Sequence, residues 1–449
     1  MTEPRELTIA GAAAEIHTGA LSSVGLAVSC LDRIDELNGD LNAFIHLRPH
    51  DDVLADARRA DDRRRKGGTL GPLDGIPVGL KANYACTGLV TSAGSRILGD
   101  WRPTRDAAAV TALRRAGAVI LGMTNMHEFA DGPTNDNPHY GRALNPHDPS
   151  RMPGGSSGGS AVALQTHMCL GATGSDDGGS IRIPAAFCGV VGLKPTYGLV
   201  SVEGIVPFSH SLDHAGPMAR TPGDVLALLR AMTGDEVGGF AAPRPRRVAV
   251  TCADFFGRHF QPGVRRAFEN AVEGLRSIGF EIRDVTLPRM HRAAAAVLTI
   301  LFSEAAAIHH HYLETRLQEY GPDVRLSLLS GRLYSAVDYV NARETRAKLR
   351  QELDLVLEEA DILVTPTAVL EPPRWDAPMI RTDEGEVELL EAIIRCTAPF
   401  NLTGHPAITV PCGTGDEGLP VGLQIVGPRN SEAMLVHVAD TFSAARESA

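Results

Sequence analysis

Between residues 20 and 66 the apolar side chains recur at helical spacing, with Val24, Ala27, Val28, Leu31 and Ile34 falling on one face. That spacing predicts helices for an N-terminal segment of about 1–66. From Gly75 the texture changes. GIPVGL (75–80) and GAVILG (117–122) are short apolar runs beside glycines, the pattern of strands buried on both faces, and a helical pattern from Ala107 to Ala116 lies between them. The alternation continues through RRVAVTC, a helix from about Pro262 to Ile278, and FEIRDVT. It ends with DILVTP, AITVP and GLQIVG. Strands alternating with helices predict an α/β fold: a mixed, mostly parallel sheet flanked by helices. Residues 290–360 read as mostly helical, an excursion covering one side of the sheet. The loosest joint is Arg220–Pro245, with TPGD and then GGFAAPRPRR. Since the motifs described below lie on both sides of it, the expectation is one large domain over 1–449.

Composition narrows the function classes. The chain has 449 residues, 43% hydrophobic and 22% charged, enough apolar material for a sizeable core. The formal net charge of −11 argues against nucleic acid as a partner. The basic run Arg63-Arg64-Arg65-Lys66 reads as a solvated helix end. Seven cysteines (Cys30, Cys86, Cys169, Cys188, Cys252, Cys396 and Cys412) show no CxxC spacing, which reads as reduced, mostly buried thiols and a cytoplasmic location. The N-terminus lacks the basic start and apolar core of a signal peptide. No apolar stretch approaches the roughly 20 residues that span a bilayer, so no membrane association is expected.

Two glycine-rich runs stand out. PGGSSGGSAV (153–162) brackets Ser156 and Ser157 with glycine pairs, although ordering a glycine costs roughly 0.5–1 kcal/mol against alanine. Either the loop approaches something closely, or its backbone takes angles closed to other residues. GSDDGGSIRIPAAFCG (174–189) follows an expected strand, Cys169–Thr173. Backbone N–H groups of Asp177, Gly178, Gly179 and Ser180 in such a run form a nest for a phosphate or a developing oxyanion. A serine at the end of a nest suits a nucleophile. Neither run has the Walker, dinucleotide or GxSxG spacing. Lys81, after the apolar GIPVGL, is a lysine whose burial would favour the neutral, basic form. Lys194 also follows Gly-Leu, so local context does not separate the two. His309, His310 and His311 do not suggest a metal, because three consecutive helical residues cannot face one ion.

Together GIPVGLK, PGGSSGGSA, GSDDGGSIRIPAAFCGVVGLKPTYG and FNLTGHPAITVP…GLPVGLQIVGP resemble the amidase signature family, over about Leu73 to Pro428. The resemblance implies that family's fold, with its signature core at about 73–220, and a triad without metal or cofactor. Lys81 would be the base, Ser156 the bridging serine on a cis peptide and Ser180 the nucleophile. The separations, 75 and 24 residues, agree with the family pattern. Lys194 would then be structural, and Ser157 would support the loop by hydrogen bonds. Ser180 would attack an amide carbonyl, and the N–H groups of Asp177, Gly178, Gly179 and Ser180 would hold the oxyanion.

Two residues depart from the family pattern: Ala82, where Asp is frequent, and Asp177, where Thr is common. The Asp177 side chain is expected to point away, leaving only its N–H to act. One family branch comprises glutaminase subunits of a tRNA-dependent amidotransferase, and NMHEFA…NPHYG and SLDHAGP resemble it. That branch holds glutamine with a basic residue where this chain has Leu326 and Ser327, and with an acid where it has Ile394. The expectation is therefore a free-standing amidase acting on a small carboxylic or ureide-type amide. The alternative is a glutaminase-type subunit of the amidotransferase complex. A non-catalytic scaffold of the same fold is the third reading. Substrate-binding candidates come from Met126–Tyr140, above all Asp131, with Met126 and Ser157. A homodimer is left open.

Overall fold

Apolar runs covered on both faces make the central strands, shorter and more exposed strands form at the edges by pairing, and the described residues contain thirteen strands in all. The computed structural model describes residues 3–234, 245–251 and 255–447. In chain order the strands are β1 (Phe44–Leu47), β2 (Pro77–Lys81), β3 (Val119–Thr124), β4 (Gly171–Asp176), β5 (Val191–Lys194), β6 (His214–Ala219) and β7 (Arg247–Val250). They continue with β8 (Glu281–Asp284), β9 (Ile362–Pro366), β10 (Met379–Thr382), β11 (Gly385–Glu388), β12 (Ala407–Thr414) and β13 (Pro420–Val426). Eleven of them make one mixed sheet in the order β1-β3-β2-β4-β6-β5-β12-β13-β9-β7-β8, and β10 and β11 pair separately. Parallel ladders occupy two blocks, β3-β2-β4 and β9-β7-β8, which are the strands alternating with helices in the chain. Antiparallel ladders join these blocks through β6, β5, β12 and β13.

Several local expectations are revised. The N-terminal segment is helical at Ile9–Thr18, Ser23–Leu41 and His50–Arg65, but FIHL between the last two forms β1 on the sheet edge. TPGD is the start of a helix, Pro222–Thr233, whose N-cap Thr221 accepts a hydrogen bond from the Asp224 N–H. The rest of that joint, 235–244, and Cys252 lie outside the described residues. The other six cysteines are free and buried. The basic run is only partly solvated: Arg63 pairs with the buried carboxylate of Asp74.

The helical excursion comprises Ala293–Ile308, His310–Thr315, Pro322–Gly331 and Ala336–Glu359. With a single turn before it, the first of these makes a stretch, Met290–Ile308, long and apolar enough to cross a membrane, contrary to the expectation that no stretch approaches that length. Here Val297, Ile300 and Leu301 pack into the core on that side of the sheet, with Leu328, Leu353 and Phe400. A second apolar cluster, containing Leu26, Val110, Leu228 and Leu435, covers the other face.

Register fixes where the site forms. β2 and β4 are parallel neighbours, with Val78 opposite Gly171 and Gly79 opposite Ala172. They therefore end side by side, bringing Lys81 to the same edge as Ser175 and Asp176.

Candidate active site

The first glycine-rich run turns through a cis Gly155–Ser156 peptide into the helix Gly158–Gln165. A Cβ at Gly159 would collide with the backbone of Asn125 and with the carbonyl of Ala43. Close approach is thus one reason for the glycines, and permissive backbone angles are the other: Gly154 has φ +76°. The loop is tied down on several sides. The His127 N–H donates to Ser156 O (3.2 Å), and the Ser157 N–H donates to Ser180 O (3.2 Å). The Gly158 N–H donates to Asn135 Oδ1 (3.0 Å), and Ser157 Oγ donates to Ser175 O (3.3 Å).

Lys81 is fully buried. Its Nζ donates to Ser156 Oγ (2.7 Å) and Ser175 Oγ (2.8 Å), with Ser175 O at 3.3 Å. Burial pushes this lysine down to about 7, although Asp177, Asp176 and Asp213 pull the other way. Ser175, which also accepts from Asn83 Nδ2 (3.0 Å), belongs to the site and is not among the residues expected from sequence. Its position in GSDDGG, one residue before the acid pair, is the available signal.

The second run is anchored by a pair that sequence reasoning also misses. Arg182 Nη2 donates to Asp176 Oδ1 (2.9 Å) and Nε to Oδ2 (3.0 Å), both side chains being completely buried. Arg182 further donates to Gln424 Oε1 (2.7 Å), Asn401 Oδ1 (2.6 Å) and Thr397 O (2.9 Å). Burial would raise the Asp176 pKa, but Arg182 holds it well below the usual carboxylate range. The same carboxylate accepts from the N–H groups of Gly179 (2.7 Å) and Ile181 (3.1 Å). The Gly179 amide is therefore committed to Asp176 and is not free for the nest expected from sequence. Gly179 has φ +138°, and a Cβ there would collide with Thr397 and Ile183.

The Asp177 side chain does not point away, as expected from sequence. It turns toward the serine, and Ser180 Oγ donates to its Oδ1 at 3.5 Å. In this state the hydrogen-bonded path from Lys81 reaches Ser156. Asp177 is pushed up to about 7 by burial, with Lys81 lowering it and Asp176 raising it.

Ser180, Asp177 and Gly178 face a cavity of about 80 Å³, lined also by Asp131, Gly132, Pro133 and Ser327. Its remaining wall is apolar, from Ile183, Val297, Leu298, Leu301, Phe302, Leu390 and Ile394. Asp131 thus lines the cavity with Ser180, whereas Met126 and Ser157 do not. Met126 is a core side chain, and Ser157 braces the loop. Of the two positions flagged at DVRLSL, Ser327 lines the cavity and Leu326 is exposed. Lys194 ends β5 away from this cavity, its Nζ donating to His405 O (2.6 Å) and Pro195 O (3.1 Å). His309 is buried with Nδ1 against Tyr320 Oη (2.8 Å), while His310 faces Glu314 on the surface. Among the described residues no His, Cys, Asp and Glu cluster could hold a metal.

The family model described as Amidase matches residues 26–436. The chain is 38% identical to a glutamyl-tRNA(Gln) amidotransferase subunit of Chloroflexus aurantiacus, over 98% of this chain and 97% of that one. A crystal structure of an amidase superposes with TM-score 0.92 and 35% identity, covering 98% of this chain and 100% of the other. The peptide amidase of Stenotrophomonas maltophilia gives 0.82 and 34%, covering 98% and 96%.

Proposed function

The chain belongs to the amidase family, whose members are enzymes acting on C–N bonds, and from that premise we propose that it hydrolyses a small amide through an acyl-enzyme on Ser180. The observation that carries this reading is the buried Lys81 amine 2.7 Å from Ser156 Oγ. Held near neutrality, that amine accepts the Ser156 proton while Ser156 takes one from Ser180, once the Ser180 hydroxyl swings from Asp177 toward Ser156. Ser180 Oγ then bonds to the amide carbonyl carbon. The oxyanion is held by the N–H groups of Asp177, Gly178 and Ser180. The C–N bond breaks as the proton passes back along the relay to the leaving amine. Water, activated by the same relay, releases the acid and frees Ser180. A scaffold without catalysis gives no reason to aim a buried lysine at the hydroxyls of Ser156 and Ser175.

The similarity to the Chloroflexus protein favours a second reading, a glutaminase-type subunit of a tRNA-dependent amidotransferase. Against it stands the cavity wall. Glutamine brings a carboxylate, and no Lys or Arg lines the cavity among the described residues, while Ser327 and Ile394 occupy two of its positions. The test is a panel of primary amides, glutamine included, assayed for ammonia release by the isolated chain. Hydrolysis of non-glutamine amides, with a covalent acyl adduct mapped to Ser180, is expected. Glutamine turnover that appears only with tRNA and a companion subunit would establish the second reading instead.

A further inference from the structure

We propose that Asp131 and Asp177 form a cation subsite beside Ser180, so that the preferred substrate is a small amide whose acyl part carries an ammonium or similar cationic group. This rests on the amidohydrolase reading above. Both carboxyls line the cavity that holds Ser180, and the rest of its wall is apolar or neutral. The acids around them are already satisfied. Asp176 is paired with Arg182, Glu128 accepts from Ser95 Oγ and sits 2.9 Å from His139 Nε2, and Asp323 lies 2.9 Å from His127 Nε2. Asp213 accepts the N–H groups of Phe208 and Ser209 (3.0 Å each). Asp131 differs: Ser327 hydrogen-bonds its carboxyl, but its Oδ2 is buried without a hydrogen-bond partner. A buried carboxyl in that condition either keeps its proton or waits for a cation.

The surrounding charges agree with this assignment. Burial, followed by Asp323, Asp177 and Glu128, pushes Asp131 well above the usual carboxylate range, with Ser327 acting the other way. For Asp177 the facing groups are Lys81, Asp176, Asp213 and Ser180. An ammonium group between Asp131 and Asp177 would draw both carboxyls into the ionised form and release protons, so its affinity rises as pH rises from about 6 to 8. An acyl group ending in a carboxylate would meet two acids and no base, which excludes it.

The test is calorimetric titration of the Ser180→Ala protein, which holds substrate without turning it over, with three probes that share a four-carbon acyl chain: 4-aminobutanamide, butanamide and succinamate. At about pH 8 the cationic probe should bind at least tenfold more tightly than butanamide, with succinamate weakest. Asp131→Asn should abolish that preference, and Asp177→Asn supplies the same readout if the first variant folds poorly. Equal affinity for cationic and neutral probes, no measurable binding of 4-aminobutanamide, or a preference surviving both substitutions overturns the subsite. Turnover by the wild-type protein is a separate arm. A protein that prefers the cation but hydrolyses none of the probes keeps the subsite and refutes the reaction. One that hydrolyses butanamide best keeps the reaction and refutes the subsite.

Discussion

Replacing Lys81 with methionine tests whether the lysine is held neutral. In the folded protein burial sets its pKa to about 7, whereas in the unfolded chain it returns to 10.5. Between those values the unfolded state binds one more proton than the folded one, so wild-type stability gains about 1.4 kcal/mol for each pH unit as pH rises. Methionine removes that slope. The substitution also strands the Ser156 and Ser175 hydroxyls, which costs about 1–3 kcal/mol each, but that offset does not vary with pH. The informative quantity is therefore the difference between the two stability curves. From about pH 7.5 to 9.5 it should move by about 2.7 kcal/mol in favour of wild type, or about 3 °C in Tm for a chain of this length. Asp177 adds in the same direction: its raised pKa rises further once Lys81 is gone, so the variant loses stability over a later pH window. Repeating the comparison in an Asp177→Asn background isolates the lysine. Calorimetric melts at half-unit pH steps supply the curves. Parallel curves for the wild-type and Lys81→Met proteins would show that this amine does not titrate near neutrality, and the neutral base would have to be abandoned. The wild-type kcat/KM profile gives an independent check, since it should rise with unit slope up to a pH of about 7 and then level.

Ser180→Ala should lower kcat/KM on any hydrolysed amide by several orders of magnitude, with Tm within about 2 °C of wild type; turnover within tenfold of wild type would remove Ser180 from its role. Lys194→Met strands the carbonyls of His405 and Pro195 and should cost about 1–3 kcal/mol in stability with kcat on the folded fraction unchanged. A catalytic loss at unaltered Tm would transfer the base role to Lys194. Arg182→Gln leaves the Asp176 carboxylate buried without its cation, and should cost about 3–5 kcal/mol, read as a Tm drop of about 3–5 °C together with lost activity. Normal stability in that variant would mean that the ion pair does not anchor the second glycine-rich loop.

What can be read from the chain and what cannot divides along physical lines. The glycine-rich loops are legible because a turn that allows no Cβ leaves its mark in the residue type itself. Gly159 against the Asn125 backbone and Gly179 against Thr397 are such positions. The alternation of strands and helices is legible where burial on both faces makes apolar runs, as in β2, β3 and β9. β1 escapes such a reading because four residues with one fully buried position show no period, and its strand character comes from pairing with β3.

The two lysines mark the limit of local reading. Lys81 and Lys194 both follow Gly-Leu, both end fully buried strands and both have depressed pKa values. Only the neighbours differ. β2 lies beside β4 and delivers its lysine to two serine hydroxyls, whereas β5 lies between β6 and β12 and delivers its lysine to backbone carbonyls. The adjacent acids Asp176 and Asp177 pose the same problem one residue apart. Asp176 finds Arg182 through contacts that also reach Asn401 and Gln424, more than 200 residues away in the chain. With that carboxylate neutralised, Asp177 is left to face Lys81 and Ser180. A rule that only its N–H matters fails because, with Asp176 paired to Arg182, the Asp177 carboxyl turns to Lys81 and Ser180 beside a cavity walled largely by leucine and valine.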